Sequence, residues 1–111
     1  MKDEIWYTAL KTFDPLLSKI AKTDYLVDIE GHSDDVNFYR YNEGEIETNW
    51  SLSGKRASSV ILHLNSMGFS SRRLRAVGYA HTRPVVEVRG KKGIQVEKAR
   101  SRNRRVSLLI R

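Results

Sequence analysis

"NWSLSGKRASSVILHLNSMGF", residues 49–69, is the stretch on which the fold turns. From about Trp50 to Ser66 it carries the period of an amphipathic helix, with Ala57, Val60, Ile61 and Leu64 on one stripe and Gly68 as a C-terminal stop. At about 100° per residue, Asn49, Leu52 and Arg56 form a second stripe, roughly 90° from the first. That flank is neither core nor open solvent. A polar residue, an apolar one and a guanidinium placed there can wall a groove.

Working outward, residues 38–48 keep neither a period of 2 nor one of 3.6, and Asn42, Glu43 and Gly44 supply turn chemistry. This predicts a long irregular loop, a place where function often resides. Before it, "YLVDIEG" (25–31) is rich in strand formers and is stopped by Gly31, so "GHSDD" (31–35) falls at a strand's end. "DPLLSKIAK" (14–22) predicts a short helix with Asp14 as N-cap, Pro15 in the first position and Leu16, Leu17 and Ile20 on one face. Beyond the central helix, "RLRAVGYA" (73–80) and "RVSLLIR" (105–111) read as strands. Between them "RPVVEVRGKKGIQVEKARSRN" (83–103) begins extended, turns at Gly90 and Gly93, and makes a basic helix from about Val96 to Arg102. Helices alternating with strands in this order predict an α+β protein, a sheet covered by helices on one face.

At 111 residues the chain has room for one domain with a genuine core. Its 40% hydrophobic and 30% charged residues are those of a globular protein, not a disordered tail. No apolar run reaches the roughly 18 to 20 residues that span a bilayer. Lys2, Asp3, Glu4, Lys11 and Asp14 interrupt the first twenty positions where a signal peptide needs an apolar run, so the start reads as a boundary inside a longer protein. With no cysteine, disulfides and thiolate metal sites are excluded. The net charge of +7 favours an anionic partner. It is unevenly spread: Asp24, Asp28, Glu30, Asp34, Asp35, Glu43, Glu45 and Glu47 precede Trp50, whereas Arg72 to Arg111 is strongly basic.

Four kinds of chemistry compete for the polar residues. A metal site would draw on His32, Asp34 and Asp35 with His63 or His81, but neither a second histidine at helical spacing nor a calcium-loop pattern is present. A hydrolase would need Ser51 or Ser53 with His32 or His63, but there is no nucleophile elbow, and a serine at a helix start is normally a cap. Adjacent Asp34 and Asp35 point apart, which rules against paired-carboxylate catalysis. "KARSRNRRV" (98–106) offers Arg100, Arg102, Arg104 and Arg105 to phosphates, with Tyr39 or Tyr79 for stacking, the basis of an alternative reading as a basic nucleic-acid-binding module. No nucleic-acid motif accompanies it. If the strand end lies beside the helix start, Asp34 and Arg56 oppose each other across a groove; spacing alone favours a structural salt bridge between them or two unrelated surface charges.

"VDIEGHSD" (27–34), "NWSLSGKRASSVILHLNSMGF" (49–69), "RLRAVGYAHTRPV" (73–85) and "RSRNRRVSLLI" (100–110), in this order, resemble the signatures of the OmpA C-terminal-like peptidoglycan-binding domain. "NWSLS" and "GYAHTRP" are most similar to the MotB branch of flagellar stators, while "FYRYNEGEIE" (38–47) matches neither OmpA nor MotB closely. The resemblance implies a β-α-β-α-β two-layer sandwich, a mixed sheet with helices on one face. It implies one domain over 1–111, with a helical lead-in over 1–22 and a core over 25–111. It further implies a non-enzymatic protein without cofactor or metal, which binds the diaminopimelate of the stem peptide and anchors a membrane complex to the cell wall. The implied partners are peptidoglycan, a membrane reached through an N-terminal anchor outside this sequence, and a second copy in a homodimer; nucleic acid is not among them. The implied location is the periplasm, with the full-length protein held in the inner membrane. A flagellar stator, a secretion anchor, a defence stator-like protein and a lipoprotein all fit. Carried onto this sequence, Asp34 meets the ligand's ammonium and Arg56 its carboxylate, Asn49, Leu52 and Ser33 line the groove, and Asn103 with Arg104 buttresses or borders it. A zwitterion needs both an anion and a planar guanidinium fork, so the resemblance reverses the preference for a mere surface pair.

Overall fold

The computed structural model describes residues 14–111. Their elements are α1 (Asp14–Ala21), β1 (Val27–Gly31), β2 (Tyr39–Asn42), β3 (Glu45–Thr48), α2 (Asn49–Ser66), a short 3-10 turn (Ser71–Arg73), β4 (Leu74–Gly78), α3 (Ile94–Asn103) and β5 (Val106–Ile110). β1 is the middle strand of a three-stranded mixed sheet, parallel to β4 and antiparallel to β5. Strand alternation sends Val27 and Ile29 to one face, where Ala57, Val60 and Leu64 of α2 meet them; Leu17 and Phe69 complete the buried core. Ile61 packs against its margin. This is the α+β two-layer sandwich that the element order predicts.

The central helix begins where its sequence supplies a cap. The Thr48 hydroxyl accepts from the Trp50 N–H at 3.2 Å, and the Ser51 hydroxyl accepts from the Thr48 N–H at 2.8 Å, a reciprocal capping box. Its first turns lie directly on the sheet. A Cβ added to Gly31 would come within 1.9 Å of the Ser53 carbonyl oxygen, and one added to Gly78 within 2.8 Å of the Ser53 hydroxyl. Only glycine, at two positions paired across β1 and β4, permits that approach.

Three sequence-based expectations need correction. Residues 38–48 are not an irregular loop: β2 and β3 form an antiparallel hairpin with Tyr41 opposite Ile46 and Asn42 opposite Glu45. Glu43 and Gly44 both take positive φ, 48° and 89°, which suits the tight turn whose twist matches a hairpin. No hydrophobic alternation betrays the hairpin, because both strands are largely exposed and the polar and aromatic faces are both wet. In α1, Leu17 is buried and Ile20 packs at the core's edge, but Leu16 is 55% exposed. Neighbouring positions on a helix diverge by about 100°, so a helix resting on Leu17 turns Leu16 away. Finally, α3 starts two residues before the expected Val96, after Gly93 at φ 58°, and residues 83–92 form turns and bends without a strand. The first part of the expected lead-in, residues 1–13, lies outside the described residues.

Candidate functional site

Strand pairing assembles the site. β1 and β5 run antiparallel with Gly31 opposite Val106, so the residues following Gly31 meet those preceding Val106. β1 and β4 run parallel with Gly31 opposite Gly78, so the chains leaving both strands travel together. The Tyr79 N–H donates to the Gly31 carbonyl at 3.0 Å, and the Ser33 N–H to the Ala80 carbonyl at 2.8 Å. From the other side the His32 N–H donates to the Arg105 carbonyl at 2.8 Å. The "GHSD" turn is thereby clamped between two partner segments.

Asp34 lies at the exit of this turn, and its carboxylate is ordered by two bonds. Oδ1 accepts the Val36 N–H at 3.0 Å, an Asx-type turn, and Oδ2 receives Arg104 Nη1 at 2.6 Å. The same Arg104 gives Nη2 to Glu97 at 2.9 Å. Burial works against the Arg104 charge, but the bonds it donates to Asp34 and Glu97 outweigh it and raise its pKa above the usual arginine value. Neighbouring Asp35 takes a two-pronged pair from Arg100, at 2.8 and 3.2 Å, which lowers its pKa in spite of some desolvation. Arg56 reaches the turn from α2: its Nη1 donates to the His32 carbonyl at 3.1 Å, two residues before Asp34. The ion pair formed by Asp34 is therefore with Arg104, not the Asp34–Arg56 surface pair that spacing suggested.

The remaining expected site residues divide by role. Asn49 is buried and donates to the Val36 carbonyl at 3.1 Å, which ties the start of α2 to the end of the turn. Ser33 is buried and its hydroxyl donates to the Asp34 carbonyl at 3.1 Å. Leu52 is half-buried on the helix flank. Asn103 is buried with its amide committed to backbone: Oδ1 accepts the N–H of Val85 and Val86, each at 2.9 Å, and Nδ2 donates to the Val86 carbonyl at 2.9 Å. Its bonds make it a buttress for residues 85–86. A cleft of about 320 Å³ opens between Ser33, Asp35, His81, Glu87 and Arg89. The Asp35–Arg100 pair was missed by sequence reasoning because charges 65 positions apart give no local signal; Glu97, 7 positions from Arg104, was missed because that spacing matches no i, i+3 or i, i+4 helical pair.

The competing chemistries meet different fates. Among the described residues no group of three His, Cys, Asp or Glu side chains is placed to hold a metal. The Ser53 hydroxyl donates to the Trp50 carbonyl at 2.9 Å and accepts the Ala80 N–H at 3.0 Å inside the core. Of the basic run, Arg100 and Arg104 are held by carboxylates, and Arg105 donates to the Asn103 and Arg83 carbonyls.

The sequence profile of the OmpA family matches residues 3–102. The uncharacterised protein YtxE of Bacillus subtilis (strain 168) is 37% identical over 109 residues, covering 92% of this chain and 40% of that protein. Among solved structures, a MotB-like protein from Desulfovibrio vulgaris superposes with a TM-score of 0.68 at 25% identity, over 92% of this chain and 59% of that one. The cell wall anchor of the type VI secretion system (T6SS) from Pseudomonas aeruginosa gives 0.60 at 32% identity, over 87% and 64%. The chain spans less than two thirds of the length of each of these three proteins.

Proposed function

Since the chain belongs to the OmpA family, we propose that it is a peptidoglycan-binding module that fastens a membrane complex to the cell wall without cutting it. The observation that carries this reading is the meeting of opposite charges from separate elements at one strand end: Asp34, fixed by Arg104 and the Val36 N–H, and Arg56, whose guanidinium reaches His32. Diaminopimelate carries an ammonium and a carboxylate on one carbon. Each carboxylate oxygen has two acceptor positions, so Asp34 can take an ammonium beside its present donors, and a guanidinium suits a carboxylate. Arg104 then orients Asp34, and Asn49 and Leu52 wall the groove. The Pseudomonas neighbour's name, a cell wall anchor, supports the substrate class, and the Desulfovibrio neighbour's, MotB-like, supports the MotB branch; a stator in the periplasm with an inner-membrane anchor and a second copy is what resemblance to that branch implies. Nucleic-acid binding draws no support, since three of the four arginines in the basic run are already engaged.

The test is co-sedimentation with diaminopimelate-type peptidoglycan. Asp34→Asn and Arg56→Gln should each weaken retention at least about tenfold, as losing one partner of a desolvated charged contact does, with urea unfolding tracked alongside to verify the fold. Retention equal to wild type in both variants would sink the site assignment. Soluble muropeptides appearing on incubation would sink the non-enzymatic reading.

A further inference from the structure

The β2–β3 hairpin has two unlike faces. In its register Arg40 pairs with Glu47, and Glu47 also meets Lys55 of α2, so this face is tied by ion pairs to the helix that bears Arg56. The other face presents Tyr39, Tyr41 and Ile46, which are 65%, 63% and 58% exposed, with Tyr41 directly opposite Ile46. None of the three belongs to the core. Cross-strand partners on one face sit about 4.5–5.5 Å apart, so Tyr41 and Ile46 form a continuous apolar step beside Tyr39. Exposed aromatic clusters of this kind mark contact surfaces more often than single exposed apolar residues do.

We propose that this face is a stacking platform for the sugar chain of peptidoglycan. The proposal rests on the stem-peptide reading above and extends it to the other half of the same polymer. Charge selects the occupant. In a protein of net charge +7, this face carries no charged side chain, which fits a neutral amino-sugar chain and leaves a phosphate polymer nothing to pair with. Tyrosine offers a flat apolar ring to the C–H faces of a pyranose and a hydroxyl to its polar rim. Position selects it too. The hairpin is the direct link between Asp34 and Asn49, and its base is pinned where Asn49 bonds the Val36 carbonyl. A stem peptide held by Asp34 and Arg56 is covalently joined to the sugar strand, so pyranose rings must pass close to the site. Two independent grips on one polymer raise its retention without tightening either one.

Three ligands separate the grips: intact peptidoglycan, glycan strands stripped of peptide by an amidase and read at about 0.5 M salt to screen the lactyl carboxylates so freed, and free stem tripeptide ending in diaminopimelate. The double variant Tyr39→Ala/Tyr41→Ala should lose binding to stripped strands and weaken intact polymer about tenfold, the scale of one or two ring contacts. Its affinity for the tripeptide should be unchanged, and Tyr39→Phe/Tyr41→Phe, which keeps the rings and loses only the hydroxyls, should retain most of the binding to stripped strands. Asp34→Asn should do the reverse, losing the tripeptide and keeping the stripped strands. Wild type that ignores stripped strands, or a double-alanine variant that binds them normally, overturns the platform. So does a loss of binding accompanied by conversion of a dimer to a monomer in sedimentation velocity, which would assign the face to a second copy. Wild type that ignores the tripeptide yet holds stripped strands through the tyrosines overturns the stem-peptide reading and leaves the platform standing.

Discussion

His32 stands in the clamped turn with only 3% of its surface exposed, and its ring stacks on Tyr79 at 5.3 Å and 12° while the Arg83 guanidinium lies 3.9 Å from the centre of that tyrosine. Neither ring nitrogen has a hydrogen-bond partner among the described residues. Burial, and then the charges of Arg105 and Arg83, push its pKa from 6.5 down to about 4. The unfolded chain therefore takes up a proton that the folded chain refuses. Stability is complete above pH 6.5 and falls as the pH drops from 6.5 to about 4, by roughly 2–3 kcal/mol over that window. Urea unfolding at stepped pH should show this slope, and His32→Phe should flatten it. A slope unchanged by the substitution would place its cause elsewhere. Asp28, held low by Arg75 first and by Arg111, adds its own loss only below the ordinary carboxylate range. From sequence His32 was legible as a motif residue but not as a buried neutral ring, because burial is a property of three segments meeting.

At the level of elements, the contact between α2 and the sheet controls the site, since Asn49, Leu52 and Arg56 all ride on that helix. Gly31→Ala would drive a methyl group into the Ser53 carbonyl, where backbone must move on both sides. We expect a loss of about 3 kcal/mol or more in urea unfolding, at the upper end of overpacking costs, together with weaker peptidoglycan retention. Gly54→Ala is the matched control. Its Cβ meets nothing within 4 Å, so it should stabilise by about 0.5–1 kcal/mol through the helix propensity of alanine. Equal effects from the two substitutions would show that helix propensity, not close approach, governs these glycines. α2 was legible because its apolar stripe repeats with the helical period. The hairpin was not, because a strand with no buried face leaves no apolar alternation; its signal lay in the Glu43–Gly44 turn alone.

Across the whole molecule, the acidic first half and the basic second half are folded onto one another. Asp34 and Asp35 meet Arg104 and Arg100, and Asp28 meets Arg75 and Arg111. Lys91 and Lys92 stay exposed on the loop before α3, where they can draw an anionic wall by long-range attraction. Lys91→Ala/Lys92→Ala should slow association severalfold and flatten its salt dependence, because the screening length falls from about 10 Å at 0.1 M to about 3 Å at 1 M. Preference for diaminopimelate over lysine stem peptides should persist, since lysine lacks the carboxylate assigned to Arg56; binding isotherms at low and high salt would check both, and discrimination lost with the lysines would contradict this division. By itself the sequence determined the amphipathic central helix, the three core strands and the turn at Gly31, because periodicity, caps and turn residues act over a few positions; the candidate site residues rest on the family resemblance. Only the tertiary structure decided the partner of each charge. The antiparallel pairing of β1 with β5 sets the residues after Gly31 against those before Val106, which gives Asp34 to Arg104, while the packing of α2 on the sheet brings Arg56 to the His32 carbonyl instead of a simple Asp34 pair. Contacts spanning 70 positions are fixed by strand register, and register is settled when the apolar faces of the sheet and helices close on one another.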